Sequence, residues 1–181
     1  MKWTILLLIS GLSIALDQVT KLMIYTNFRL GESVDVINNF FALTYVRNYG
    51  AAFGFLSNTP DWFRENFFLI VPPLAMLLIL HILRKEVPDD DTWQILAYSS
   101  IFGGAIGNYI DRWQHGFVVD FLDFHYKNTW TYPAFNVADM SIVGGVGVLI
   151  ILMIIETKNG KKPKPPANPG DEKEKPRLRS A

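Results

Sequence analysis

The sequence predicts an α-helical integral membrane protein: four transmembrane helices with a small β-sheet on the outer face. Three observations lead there. Half of the 181 residues are hydrophobic, and four windows reach the length of about 20 helical residues that a hydrocarbon core of roughly 30 Å demands. The 17 basic and 17 acidic residues cancel to zero net charge but are unevenly spread, with no charge in the 19 residues Thr92–Ile110 and eight Lys and Arg in residues 157–181. Cysteine is absent, which excludes thiol nucleophiles, disulfide frameworks and Cys-based metal sites. The length fits one domain: residues 1–156 as a four-span membrane unit and 157–181 as a disordered basic tail rich in Pro and Lys. No nucleic-acid partner is expected.

The first span runs from Trp3 to about Ile24. A rival reading is open, because Lys2, an uncharged stretch and Ser13-Ile14-Ala15 resemble a secretory signal peptide with its cleavage site; against it, apolar residues resume after Asp17 at Val19, Leu22, Met23 and Ile24. The second span, Phe67–Leu83, is apolar on every face, which suits lipid better than a globular surface. Its Pro72-Pro73 pair predicts a kink of the sort membrane helices tolerate. The third span is Trp93–Ile110 and the fourth runs from about Asn136 to Ile155.

Two long connections, about Tyr25–Glu65 and Asp111–Phe135, leave room for structure. Ser33–Ile37 and Phe40–Val46 are rich in β-branched and aromatic residues and predict strands of a sheet lying on the membrane surface. Asn58-Thr59-Pro60-Asp61 reads as a turn or helix start, followed by interfacial Trp62, Phe63, Phe67 and Phe68. The tail is too polar to fold alone and is suited to touching anionic lipid. With the N-terminus inside, Lys2, Arg84, Lys85 and the eight tail residues face the cytoplasm, against Arg29, Arg47, Arg64, Arg112 and Lys127 outside. The positive-inside rule therefore puts both termini in the cytoplasm.

Charged groups at membrane depth cost at least about 2.5 kcal/mol each on insertion scales, so they are functional candidates by default. Asp17 and Lys21 stand four residues apart on one helical face; they read either as a self-neutralising pair near the outer surface or as part of an active site. In Gly103-Gly104-Ala105-Ile106-Gly107-Asn108-Tyr109-Ile110-Asp111-Arg112 the glycines read as close-packing positions. Asn108, Asp111 and Arg112 fall at the outer end, where a surface position is cheap, and Arg112 could grip a carboxylate or a lipid phosphate.

The third cluster joins Asp120, bracketed by Val118, Val119, Phe121 and Leu122, to Asn136 and Asp139, which share a face where the last span opens. If the connection folds back, Asp120 and Asp139 share a site at the outer interface. Two carboxylates so close cannot both ionise readily, and one keeps a proton, which supplies an acid and a base for hydrolysis without metal. The helix dipole inclines Asp139 toward the anion, but the proton belongs to the coupled pair, and the sequence does not assign it to either aspartate. On spacing alone, helix caps or solvated charges explain both aspartates more readily. A His/carboxylate metal set of His115, Asp120, Asp123 and His125 competes for the same residues but lacks the paired-His helical spacing of a zincin. No metal and no cofactor is expected; His81 reads as a packed or interfacial residue.

Five segments then meet in a fixed order around four spans: Asp17-Gln18-x-x-Lys21, Arg47-Asn48-Tyr49-Gly50-Ala51-Ala52-Phe53-Gly54, Gly107-Asn108-x-x-Asp111-Arg112, Val118-Val119-Asp120-Phe121 and Phe135-Asn136-x-Ala138-Asp139. Together they resemble bacterial lipoprotein signal peptidase, or signal peptidase II, a four-span aspartyl protease of the cytoplasmic membrane. The resemblance covers Leu16 to about Met153. It implies that Asp120 and Asp139 form a catalytic dyad, and that Asp17, Lys21, Asn48, Gly50, Asn108, Asp111, Arg112 and Asn136 shape the pocket and position substrate. It further implies a sheet on the periplasmic face, a diacylglyceryl-modified prolipoprotein substrate cut before the lipidated cysteine, and inhibition by globomycin-type cyclic peptides. Lipids are the other expected partners, and a monomer the expected state. Asp123 and His125 have no role in the resemblance; Asp123 reads as a solvated charge. Two other readings are a small ion or solute transporter with interfacial carboxylates, and a lipid-binding scaffold. A transport path would distribute polar groups through the bilayer, whereas these collect at the outer ends of the spans.

Overall fold

A computed structural model of the chain describes residues 1–50, 59–126 and 129–160. Among the described residues, four long helices and four strands follow in the order α1 (Lys2–Asn27), β1 (Ser33–Ile37), β2 (Phe41–Asn48), α2 (Asp61–Lys85), α3 (Thr92–His115), β3 (Val118–Tyr126), β4 (Trp130–Thr131) and α4 (Val137–Lys158). The protein is an α-helical membrane protein with a small antiparallel sheet, ordered β1-β2-β3-β4, at one end of the bundle. Ala51, Ala52, Phe53, Gly54, Asn58, Lys127 and the tail from 161 onward lie outside the described residues.

The helices invert the pattern of a soluble bundle. On α1, Leu7, Leu8, Leu12, Leu16, Val19 and Leu22 are exposed, while the buried face carries Leu6, Ser10, Ser13, Asp17, Lys21 and Ile24. Those spacings of three and four residues keep the polar groups on one helical stripe. Helix α1 is continuous through Ser13, which donates to Ser141 Oγ at 2.7 Å; the stretch resembling a cleavage site is packing surface. Helices α1, α2 and α4 are long and apolar enough to cross a membrane.

Helix α3 is of similar length but diluted with Gly, Ser and Asn, because it sits between α1 and α4 and must let both approach. A side chain at Gly103 would come within 2.8 Å of the Ser10 backbone, and one at Gly104 would strike the Ala138 carbonyl. The hydrophobic run ends at Ile110, yet α3 continues to His115, because Asp111 is itself buried. It stops at Gly116, whose φ of 76° is the left-handed conformation that closes helices. Helix α2 starts after Pro60 and runs through Pro72-Pro73 to Lys85.

At the end remote from the sheet, Leu6, Leu83, Val87 and Ile95 pack together. Lys2 ties that end shut, donating at 2.8 Å to the carbonyls of both Leu83 and Val87 and pairing with Asp89 at 2.9 Å. At the sheet end a second core joins Ile24 to Tyr45, Phe117, Val119 and Phe121. Strand β2 runs two residues past the expected Val46, pairing Arg47 with Val119 and Asn48 with Val118. Strand β3 was not expected as a strand. Within it, the Phe121 and Leu122 N–H groups donate to the Phe135 carbonyl at 3.0 and 2.8 Å, a fold-back that brings the start of α4 against β3.

Candidate active site

The site grows from the first turn of α4. Asn136 caps that helix by accepting the Asp139 N–H at 2.9 Å, and the Asp139 carboxylate accepts the Asn136 N–H at 3.2 Å. This reciprocal capping box fixes both side chains. Asn136 is fully buried, and its amide also donates to Asp120 Oδ1 at 2.6 Å and to Asn108 Oδ1 at 3.1 Å. One residue thus touches both aspartates. Asn108 completes the bridge, donating to Asp139 Oδ1 at 2.8 Å.

Asp120 is 2% exposed. Its second oxygen accepts from Asn48 Nδ2 at 2.9 Å, and Asn48 in turn accepts the Gly50 N–H at 3.0 Å. Burial, and after it the charge of Asp139, push the Asp120 carboxyl up to about 7, against the opposing hydrogen bonds from Asn48 and Asn136 and the Lys21 charge. The two aspartates therefore differ in setting: Asp139 sits in the first turn of α4, whereas Asp120 is buried on β3 and poised to carry a proton near neutrality.

Beneath them lies an ion network. Lys21 Nζ pairs with Asp17 at 2.8 Å and Asp111 at 3.2 Å and donates to Asn108 Oδ1 at 2.8 Å. Asp17, at 0% exposure, accepts the Ala138 N–H at 2.8 Å, and Asp111 accepts the Val119 N–H at 2.9 Å. The carboxylates of α1 and α3 thereby hold the backbones flanking Asp139 and Asp120. A side chain at Gly107 would come within 2.5 Å of Asp17 Oδ2, so glycine is required there for room. The two readings of the Asp17–Lys21 pair merge, since it neutralises itself and also braces the site.

Several expectations are corrected. Asp111 is buried rather than set cheaply at the surface. Arg112 donates to the Gly50 carbonyl at 2.9 Å, with its guanidinium 4.3 Å from the Phe68 ring centre. Asp123 is not a solvated charge: it accepts from Thr44 at 2.8 Å and stands 3.6 Å from His125 Nδ1, because β3 carries it into the sheet. His115 stacks between Tyr25 and Phe117, at 5.1 and 5.6 Å, away from His125. No group of three or more His, Asp and Glu with metal-binding geometry occurs among the described residues. Residues overlooked in the sequence are Gln18, which donates to Asp111 at 3.0 Å and to the Gly107 carbonyl at 3.1 Å, and the backbone donors of Ala138 and Val119. Gln18 stood inside a quoted motif; backbone donors leave no trace in residue identity.

A bundle of lipid-compatible helices with a buried carboxylate and amide network at one end, rather than a polar column through its depth, defines a membrane enzyme. Two solved structures described as bacterial membrane enzymes, obtained by the in meso method, share the fold. One has a TM-score of 0.77 at 35% identity, covering 88% of this chain and 93% of that one; the other has 0.72 at 36%, covering 82% and 92%. The family described as signal peptidase (SPase) II matches residues 9–155, and the chain belongs to it. It is 48% identical over 154 residues to the lipoprotein signal peptidase of Syntrophotalea carbinolica, covering 83% of this chain and 91% of the relative. It is also 48% identical over 136 residues to that of Shewanella loihica, covering 75% and 77%.

Proposed function

We propose that this peptidase is an aspartic endopeptidase that removes the signal peptide from diacylglyceryl-modified prolipoproteins, cutting before the lipidated cysteine. The observation that carries this is Asn136, whose side-chain amide donates to the Asp120 carboxylate and whose backbone N–H donates to the Asp139 carboxylate, which holds two carboxylates of unlike environment around one residue. The Asp139 carboxylate takes a proton from water as the water oxygen attacks the scissile carbonyl carbon. The Asp120 O–H donates to the carbonyl oxygen, and the tetrahedral species collapses with a proton passing to the leaving amine nitrogen. Because the dyad is coupled, the proton belongs to the pair through the cycle. Arg112 Nε, buried and without a hydrogen-bond partner among the described residues, is a donor suited to a substrate carbonyl. Asp17, Lys21, Asn108, Asp111, Asn136, Asn48 and Gly50 keep this geometry.

On this reading α3 is the fourth crossing, consistent with its place between α1 and α4 and its uncharged run from Thr92 to Ile110. The distribution of Lys and Arg along the chain, eleven in the N-terminus, the α2–α3 connection and the tail against Arg29, Arg47, Arg64, Arg112 and Lys127, supports cytoplasmic termini and a site at the periplasmic interface of the bacterial inner membrane. Water, and a substrate already anchored in the bilayer, both reach that level. Residues 1–156 are the peptidase unit, the tail a basic cytoplasmic extension, the working form a monomer, and globomycin-type peptides the inhibitors.

The test is signal-peptide release from a diacylglyceryl prolipoprotein in detergent. Asp120→Asn and Asp139→Asn should each lower cleavage by several orders of magnitude while retaining globomycin-type binding, and the double variant should be hardly worse than either. A folded Asp139→Asn protein cleaving near the parent rate refutes the dyad.

A further inference from the structure

Arg47 opens one of the shared motifs yet does not point at the site. Successive side chains of a strand leave on opposite faces, so Asn48 reaches Asp120 while Arg47 turns to the aromatic core. There its guanidinium lies 4.6 Å from the Phe117 ring centre and 5.6 Å from that of Tyr45, and its Nε donates to the Tyr45 hydroxyl at 3.0 Å. The rings it grips are themselves anchored. Tyr25 of α1 meets Tyr45 edge-on at 6.1 Å, and Phe117 is stacked on His115, the last residue of α3.

This anchor sits where the strand needs one. Backbone pairing on the β1 side reaches Tyr45, through Glu32 and Gly31, so among the described residues Val46, Arg47 and Asn48 pair in the sheet with β3 only, just past an irregularity in the register. Asn48 crosses diagonally from its partner Val118 to Asp120, two residues along β3. A small rotation of the strand end removes that hydrogen bond.

We propose that Arg47 is a positioning residue of the peptidase reaction, its guanidinium clamped on Tyr45 and Phe117 fixing the end of β2 so that Asn48 donates to Asp120. The proposal rests on the aspartic reading above. Asp120 is faced by Asp139 from α4, Lys21 from α1 and Arg112 from α3, all unchanged in the variants below.

The experiment compares the full-length parent with Arg47→Gln, Arg47→Lys, Asn48→Ala and the double variant Arg47→Gln/Asn48→Ala. Cleavage of a diacylglyceryl prolipoprotein is followed from pH 5 to 9, and Asp120 protonation is read from its carboxyl infrared band. Arg47→Gln should lower kcat on the order of tenfold with KM nearly unchanged, since a displacement of about 1 Å is costly in catalysis. It should also shift Asp120 protonation and the alkaline limb of the rate to higher pH, as Asn48→Ala does, because a donor to the charged form is lost. Arg47→Lys keeps the cation on the rings and should recover most of both. The double variant should match Asn48→Ala alone. Additive effects in the double variant, a change in KM only, or an infrared titration that Arg47→Gln leaves in place overturns the proposal. The infrared comparison holds even if the parent fails to cleave, an outcome that strikes the proposed reaction instead.

Discussion

Asp120→Asn should make the protein more stable at alkaline pH and less stable in acid. For the ionised form, titrating at about 7 rather than in the ordinary range near 3.8 costs on the order of 4 kcal/mol. The substitution removes that cost but introduces another. Asn136 and Asn48 both aim amide N–H groups at residue 120. Neither can flip, because their carbonyl oxygens hold the Asp139 and Gly50 N–H groups. The new amide therefore turns its own donor toward one of them, at a cost of about 1–3 kcal/mol. Above pH 7 the balance favours the variant by roughly 1–3 kcal/mol, or about 4–8 °C in Tm for a gain near the middle of that range. The sign with pH follows from proton binding. Between about 4 and 7 the folded parent keeps a proton that the unfolded chain has lost, so parent stability falls as pH rises through that window and levels off above it. The variant lacks this slope, and the two stability curves should cross. Thermal unfolding in detergent at several pH values from 4 to 8 measures the difference, in which the three histidines cancel. A parent–variant difference that is the same at every pH would show that Asp120 titrates normally, and would refute the argument.

Asn136→Ala should lose about 3–5 kcal/mol, since it deletes a helix cap and leaves buried carboxylates short of donors; denaturant unfolding measures it. Gly107→Ala should cost about 1–3 kcal/mol by driving its methyl group against Asp17. It should also slow cleavage, whereas Gly144→Ala, with nothing within 4 Å, should leave cleavage unchanged and, by replacing a glycine inside a helix, cost no stability. Lys2→Met should lower Tm through the two lost carbonyl bonds, on the order of 2 kcal/mol, with little effect on the rate of bond cleavage because it acts at the far end of the bundle. Asp89→Asn should be nearly silent, Asp89 being largely exposed.

Much of the helical framework was legible because lipid and length constrain it: apolar windows located all four helices, and Pro60 and Asn136 marked two of their starts. Ends were harder. The third window closed at Ile110 by hydropathy, but Asp111 finds Lys21 and a backbone N–H, so burial tolerates it and the helix runs on to Gly116. Strands β1 and β2 were readable from β-branched residues. Strand β3 was hidden because its polar residues, Asp120 and Asp123, looked like loop charges when each has partners across the sheet. The site residues were visible as costly polar groups, and their partners were only partly so. Asp17 caps Ala138 from another helix, and Arg112 binds a carbonyl, pairings set by tertiary packing that no local spacing encodes.

The bond from Ala138 to Asp17 spans 121 positions of sequence, and that separation bears on how the molecule is made. Helix α1 leaves the ribosome first, and Asp17 enters the bilayer already neutralised by Lys21 one turn on. Asn136 and Asp139 arrive only with the last helix. If Asp120 and Asp139 are the working pair proposed above, a nascent chain holds no complete site at any earlier stage of synthesis, and hydrolysis among unfinished membrane proteins is withheld until α4 has docked.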